Sequence, residues 1–390
     1  MLTNRWAVLA LLFLVRAGMG VQFQVVPSLA PLVIERFAVS LAEIGLLIGI
    51  YQAPGIFLSL PGGALARRFG DKPVVLVGLA LMVAGGLLML AAPGWHLYLA
   101  GRIVAGAGAI VMNVLMTKMV ADWFSGRELN TAMAIFVNSW PCGIALALVV
   151  LPPLAAAGGL SAAMVAATVY CAAAFVGTAL LYSAPETAPR ATVSASGWPE
   201  GRVIFAVLVA AVVWGLYNTG LSVVFSFGPL MMAERGYSIV EGSALTSLVL
   251  WVATLSIPLG GFLADRSGRP GVVMAVSLAG FALALVIAPR TEAVMAAFLV
   301  MGLIGGLAAG PVMSLAASVL TPQTRASGMG IFFTLYYVFL MGAPWLAGLL
   351  ATAVGTARIA FDAGAAALVL AFPVWGAFVL LRRVALRTAG

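Results

Sequence analysis

Residues 62–72 read GGALARRFGDK and residues 260–270 read GGFLADRSGRP, nearly the same short loop 198 positions apart. The offset reaches well beyond the loop. It pairs Pro31 with Pro229, Glu43 with Glu241, Gly63 with Gly261, Leu65 with Leu263 and Arg68 with Arg266. It goes on to pair Gly70 with Gly268 and Arg127 with Arg325. A match at one fixed spacing over this distance is the mark of an internal duplication. The loop copies differ at one telling place, where Arg67 stands against Asp265.

Composition says what is duplicated. Of the 390 residues 63% are hydrophobic and 8% charged, whereas a water-soluble domain carries about a quarter charged residues. Crossing the ~30 Å hydrocarbon core takes a helix of about 20 apolar residues, and helices satisfy their own backbone in lipid. Apolar runs of that length are predicted near 6–31, 42–65, 74–92, 96–118, 130–153, 161–183, 203–230, 240–263, 272–289, 293–319, 328–352 and 359–381. The fold class is therefore an all-α membrane protein of twelve transmembrane helices in two parallel six-helix repeats. The first run is read as a retained span, not a cleaved signal. The expected domains are residues 1–183 and 202–390, joined by a cytoplasmic linker at 184–201, where the longest polar stretch, SAPETAPRATVSASGWPE at 183–200, falls.

The net charge of +8 could suggest nucleic acid, but its distribution points elsewhere. With the N-terminus placed inside, thirteen Lys and Arg fall on the inner side, and Arg36, Arg235, Arg290 and Arg358 fall outside. That bias predicts both termini in the cytoplasm, here of a bacterial inner membrane. No nucleic-acid partner is expected. Cys142 and Cys171 both lie inside runs, so no disulfide framework, metal or cofactor is expected.

The loop GGFLADRSGRP resembles the signature loop of the major facilitator superfamily, through Gly261, Leu263, Ala264, Asp265, Arg266, Gly268 and Arg269. Arg102, Gly106 and Gly108 resemble a second pattern of that family, on its fourth helix. The resemblance implies a transporter working by alternating access, with helices 1, 4, 7 and 10 around a central cavity. It also implies a gating role for the loops: Gly63, Arg67, Arg68 and Gly70 in one copy, and Gly261, Asp265, Arg266, Gly268 and Arg269 in the other. Arg67 reverses the charge of the gating Asp, so the first-half gate is expected to use another contact. Residues 106–124 and 132–146 are similar to the cyanate-permease-like branch.

Charges deep in a bilayer are costly, so they mark candidate sites. Arg16 lies ten residues past Trp6, ~15 Å into the first run at 1.5 Å per residue. Arg102 is the other deep cation, while Lys118 is expected to snorkel to headgroups. No carboxylate falls at mid-depth. Helical phase groups Gln24 with Arg16, and Asn113 with Arg102. Asn138, Trp214, Tyr217, Asn218, Tyr336 and Tyr337 complete the candidate substrate-binding set, and the repeat sets Arg16 opposite Trp214 and Asn138 opposite Tyr336. Arginines without a deep acid favour an anion, either a carboxylate or a small inorganic ion. The expected activity is secondary transport of such a solute, with an exporter of amphipathic drugs as the alternative. Coupling is left as uniport, exchange, or symport with the proton on the substrate, on Glu43 or on Asp362. One His and no deep acid leave no catalytic residues for an enzyme. The partners expected are the small solute, protons and the bilayer, and the working unit a monomer.

Overall fold

A computed structural model describes residues 2–59, 69–124, 128–185, 197–321 and 323–387, and every element among them is helical. The first half runs α1 (Arg5–Ser28), α2 (Ala30–Phe37), α3 (Leu41–Ile50), α4 (Pro54–Leu58), α5 (Asp71–Ala91), α6 (Trp95–Trp123), α7 (Leu129–Val137) and α8 (Ser139–Leu181). The second runs α9 (Gly201–Glu234), α10 (Ile239–Ser267), α11 (Pro270–Ile287), α12 (Val294–Gly306), α13 (Ala309–Ala317), α14 (Arg325–Val354) and α15 (Arg358–Arg387).

Among the described residues, eleven helical runs are long and apolar enough to cross a membrane. The longest, Thr131–Leu181, has 51 residues, about 75 Å at 1.5 Å per residue and more than twice the hydrocarbon thickness. It turns back at Gly158 and Gly159, where Gly159 takes φ 72, a conformation open to glycine without strain. Counted on both sides of that turn, the spans number twelve, so the chain is a multi-pass membrane protein. With an even number of crossings, both termini lie at one end, here called proximal.

The repeat reappears as repeated chemistry. Ser40 and Glu43 form a capping box at the start of α3, and Ser238 and Glu241 form the same box at the start of α10. At the distal end Arg36 donates to the Ala92 carbonyl at 3.0 Å, just past α5. Its counterpart Arg235 donates to the carbonyls of Ala288 and Thr291, just past α11. Each arginine thus closes a helix C-terminus, where a cation also meets the helix dipole favourably. In the two loops Gly70 and Gly268 both take positive φ, 84 and 62. Gly63, Arg67 and Arg68 lie outside the described residues.

One apolar cluster is built from residues between Val8 and Tyr182, with Phe225, Leu250 and Tyr337 reaching in from the second half. Two further clusters draw their buried residues from positions between Ala206 and Phe378. Toward the distal end the halves meet tightly. A Cβ at Gly45 or Gly49 would overlap the carbonyl oxygens of Pro344 or Met341, so α3 and α14 touch backbone to backbone. The Ala42 amide donates to Thr352 Oγ1 at 2.8 Å beside them. A second seam joins α8 to α10, where Cys142 lies beside Thr254. On the proximal side of this contact, Ala134 and Val137 belong to α7, which packs on α1 and α6, and they are exposed, as are Leu259 and Phe262 of α10.

Candidate functional site

The site begins at a proline. Pro141 has no N–H, so the Val137 carbonyl four residues earlier has no helical donor, and the helix breaks at Asn138 between α7 and α8. Arg16 of α1 fills the gap. Its Nη1 donates to the carbonyls of Phe136 and Val137, both at 2.9 Å, and to Ser139 Oγ at 3.0 Å. Its Nε donates to Asn113 Oδ1 of α6 at 2.6 Å, and the guanidinium lies 4.9 Å from the Phe136 ring centre. Every one of these partners is neutral. No carboxylate compensates the charge among the described residues, and Nη2 donates to none of them.

The contacts continue across to the second half. Asn113 lies beside Tyr337, and the phenols of Tyr336 and Tyr337 sit within electrostatic reach of Arg16. The Tyr336 hydroxyl donates to Asn218 Oδ1 at 3.4 Å, and Asn218 Nδ2 donates to the Trp214 carbonyl at 2.8 Å. The Trp214 ring stands 5.9 Å from Tyr336 and 6.4 Å from Phe332, and Phe333 packs edge-on against both Phe332 and Tyr336. The Trp214 Nε1–H is buried without an acceptor among the described residues. A cationic wall from α1, α6 and the α7–α8 break thus faces an aromatic wall from α9 and α14.

The structure brings together Arg16, Asn113, Asn138, Trp214, Asn218, Tyr336 and Tyr337 from the predicted set. It moves three others elsewhere. Arg102 is fully buried and donates to the carbonyls of Leu47, Gln22 and Phe23 at 3.1, 3.0 and 2.9 Å, with its guanidinium 4.6 Å from the Tyr51 ring. Pro27 explains part of this, because its missing N–H frees the Phe23 carbonyl. Arg102 therefore ties α1, α3 and α6 together and stands apart from the residues gathered around Arg16. Gln24 is also buried. Its Nε2 donates at 2.7 Å to the Phe225 carbonyl, which Pro229 has freed in turn, and this places Gln24 in the seam between halves. The buried Tyr217 packs its ring on Trp214 but donates its hydroxyl to the Gly305 carbonyl, inside the second half.

Phe136, Val137, Ser139 and Phe332 were not anticipated from the sequence. Pro141, four residues after Val137, was the signal that could have found the break. Lys118, expected at headgroups, pairs with Asp71 at 2.6 Å and with Asp122 at 2.8 Å. Glu43 accepts from the amide and hydroxyl of Ser40 in its capping box, and Asp362 pairs with Arg290 at 2.8 Å. Of the loop residues, Asp265, Arg266 and Arg269 are exposed and make no ion pair among the described residues, and a Cβ at Gly261 would meet nothing within 4 Å.

Comparison with known proteins agrees with the repeat and the spans. The family profile of the Major Facilitator Superfamily matches residues 8–243 and again 203–389. The 3-(3-hydroxy-phenyl)propionate transporter of Escherichia coli is 26% identical over 396 residues, covering 96% of this chain and 94% of that protein. The inner membrane transport protein YajR of Escherichia coli is 32% identical, over 33% of this chain and 28% of that protein. Among solved structures, the xylose transporter XylE from Escherichia coli in an inward-open conformation superposes with a TM-score of 0.79 at 13% identity, covering 95% of this chain and 96% of that one. A bacterial homologue of the human lysosomal transporter Spinster reaches 0.77 at 16% identity, over 99% of this chain and 98% of that one. With a duplicated six-span architecture and a family match that runs through both copies, the chain belongs to the major facilitator superfamily and is a secondary transporter, not an enzyme.

Proposed function

We propose that this transporter carries a small organic anion, a monocarboxylate with a flat or aromatic body. One observation carries the reading: the Arg16 guanidinium has only neutral partners and keeps Nη2 without a described acceptor, opposite a wall of aromatic rings. A carboxylate would supply the missing charge through charge-assisted hydrogen bonds, and Trp214, Phe333 and Tyr336 would cover its flat body. The full-length relative that transports an arylpropionate supports the same class. A small inorganic anion would use Arg16 and leave the rings idle. An exporter of amphipathic drugs would use the rings and leave the charge uncompensated.

Residues 1–183 and 202–390 are the two rocking units of this proposal, with residues 184–201 linking them. The proximal end faces the cytoplasm, the membrane is the bacterial inner one, and the unit is a monomer. Coupling follows from the acids. Glu43 and Asp362 are engaged at helix ends, so neither serves as the proton carrier. Transport is then uniport, exchange, or symport with the proton carried on the substrate.

Purified protein in proteoliposomes tests this with benzoate, 3-phenylpropionate, cyanate and neutral benzamide. Arg16→Gln should weaken carboxylate binding about 10- to 100-fold, the value of a charged hydrogen bond. Benzamide binding as well as benzoate, with Arg16→Gln indifferent, would remove the anion site.

A further inference from the structure

We propose that Pro141 is a positioning residue that turns Arg16 into a latch, linking the anion to the inner segment of the fifth span. In an unbroken helix the residue at 141 would donate to the Val137 carbonyl, and Arg16 would have nothing to hold there. Pro141 withholds that donor. The carbonyls of Phe136 and Val137 and the Ser139 hydroxyl then converge on a single guanidinium nitrogen, Nη1. In the empty carrier, α7 is thus fixed to α1 through Arg16 at the point where it joins α8.

The same guanidinium is the cation offered to the substrate, so this inference rests on the anion reading given above. A carboxylate approaching Nη2 pulls the planar group toward itself as a fork and competes with neutral carbonyls for its charge. The tie to Phe136 and Val137 weakens as the anion binds. The segment released is α7, which carries Ala134, Ile135 and Val137 exposed on the proximal side of the α8–α10 seam. Freed at its break, α7 can swing toward Leu259 and Phe262 and close against α10 at the proximal end. The second half has no such device. Position 339, the repeat partner of Pro141, is Phe, α14 runs through it without a break, and Trp214 stands in place of Arg16.

The test is the rate at which a hydrophilic maleimide labels Ile135→Cys in the full-length protein, in a Cys142→Ser background. Saturating 3-phenylpropionate is expected to slow labelling at least threefold, and Arg16→Gln is expected to show the slowed rate without any ligand. Pro141→Ala, which restores a donor to Val137, should still bind 3-phenylpropionate, and the ligand should no longer change its labelling. The latch is overturned if empty Arg16→Gln labels like the empty parent, or if Pro141→Ala keeps the ligand-dependent protection. Loss of the anion reading has a different signature, a parent that binds no carboxylate at all. In that case the rate of the empty Arg16→Gln protein still decides the latch.

Discussion

Three prolines govern where the polar side chains of this membrane protein go. Pro27, Pro141 and Pro229 each leave a carbonyl without its helical donor, and Arg102, Arg16 and Gln24 respectively donate to those carbonyls. A backbone oxygen left bare in lipid costs several kcal/mol, so each pair is a mutual necessity. Arg102 and Arg16 nonetheless differ. All three Arg102 nitrogens are engaged and it is sealed, while Arg16 is only partly buried and its Nη2 has no acceptor among the described residues. Arg102→Ala should therefore destabilise the fold by roughly 3 kcal/mol or more, since three charge-assisted hydrogen bonds are lost and the Phe23 carbonyl keeps no donor. A thermal scan should show the drop, and the protein that stays folded should bind carboxylate with unchanged affinity. A double-mutant cycle sharpens the point. Arg102→Met and Pro27→Ala should be non-additive, because restoring the donor to Phe23 removes part of the need for Arg102. The sequence marked both arginines as deep, and it showed both prolines. It could not show which carbonyl meets which arginine, because that depends on how α1 docks against α6 and α8. Tyr217 escaped for the same reason: it stands three residues from Trp214 on one helix, but the Gly305 carbonyl that takes its hydroxyl comes from α12.

Among elements, the α3–α14 contact sets how firmly the distal end is shut. Its backbones approach so closely that Gly49 has no room for a methyl group against Met341. Gly49→Ala should force the helices apart and shift the protein toward a distal-open state. Cysteines at Ala42 and Thr352, adjacent here through the 2.8 Å hydrogen bond, report the change. Their oxidative cross-linking should fall well below the parent level, and an unchanged yield would show that the seam does not hold the closed state. The spans themselves were legible, because apolar runs of this length have few alternatives in lipid. Even the turn between the fifth and sixth spans fell where expected, at Gly158 and Gly159. The break in the second span at residues 51–53 was not foreseen, for it lies inside an apolar run with no charge to mark it.

For the whole molecule, the charges stay within their own halves. The five ion pairs among the described residues, from Arg5–Glu128 to Arg290–Asp362, all join residues of one half. The halves meet instead through glycine-lined backbone, neutral hydrogen bonds and apolar side chains. Such contacts are insensitive to ionic screening. The Ala42–Thr352 cross-linking yield should thus stay constant from low to high NaCl, whereas a hidden ion-pair lock would make it fall. The internal repeat announced two matching halves, and the places where they differ, Arg16 against Trp214 and Pro141 against Phe339, meet at one site. That pairing has an evolutionary consequence. A proline in a membrane helix opens a vacancy that some donor has to occupy, so neither partner is free to change alone. Across descendants of this gene, Pro141 and Arg16 should be inherited together and lost together, and a lineage that dropped both would have changed the kind of solute it carries.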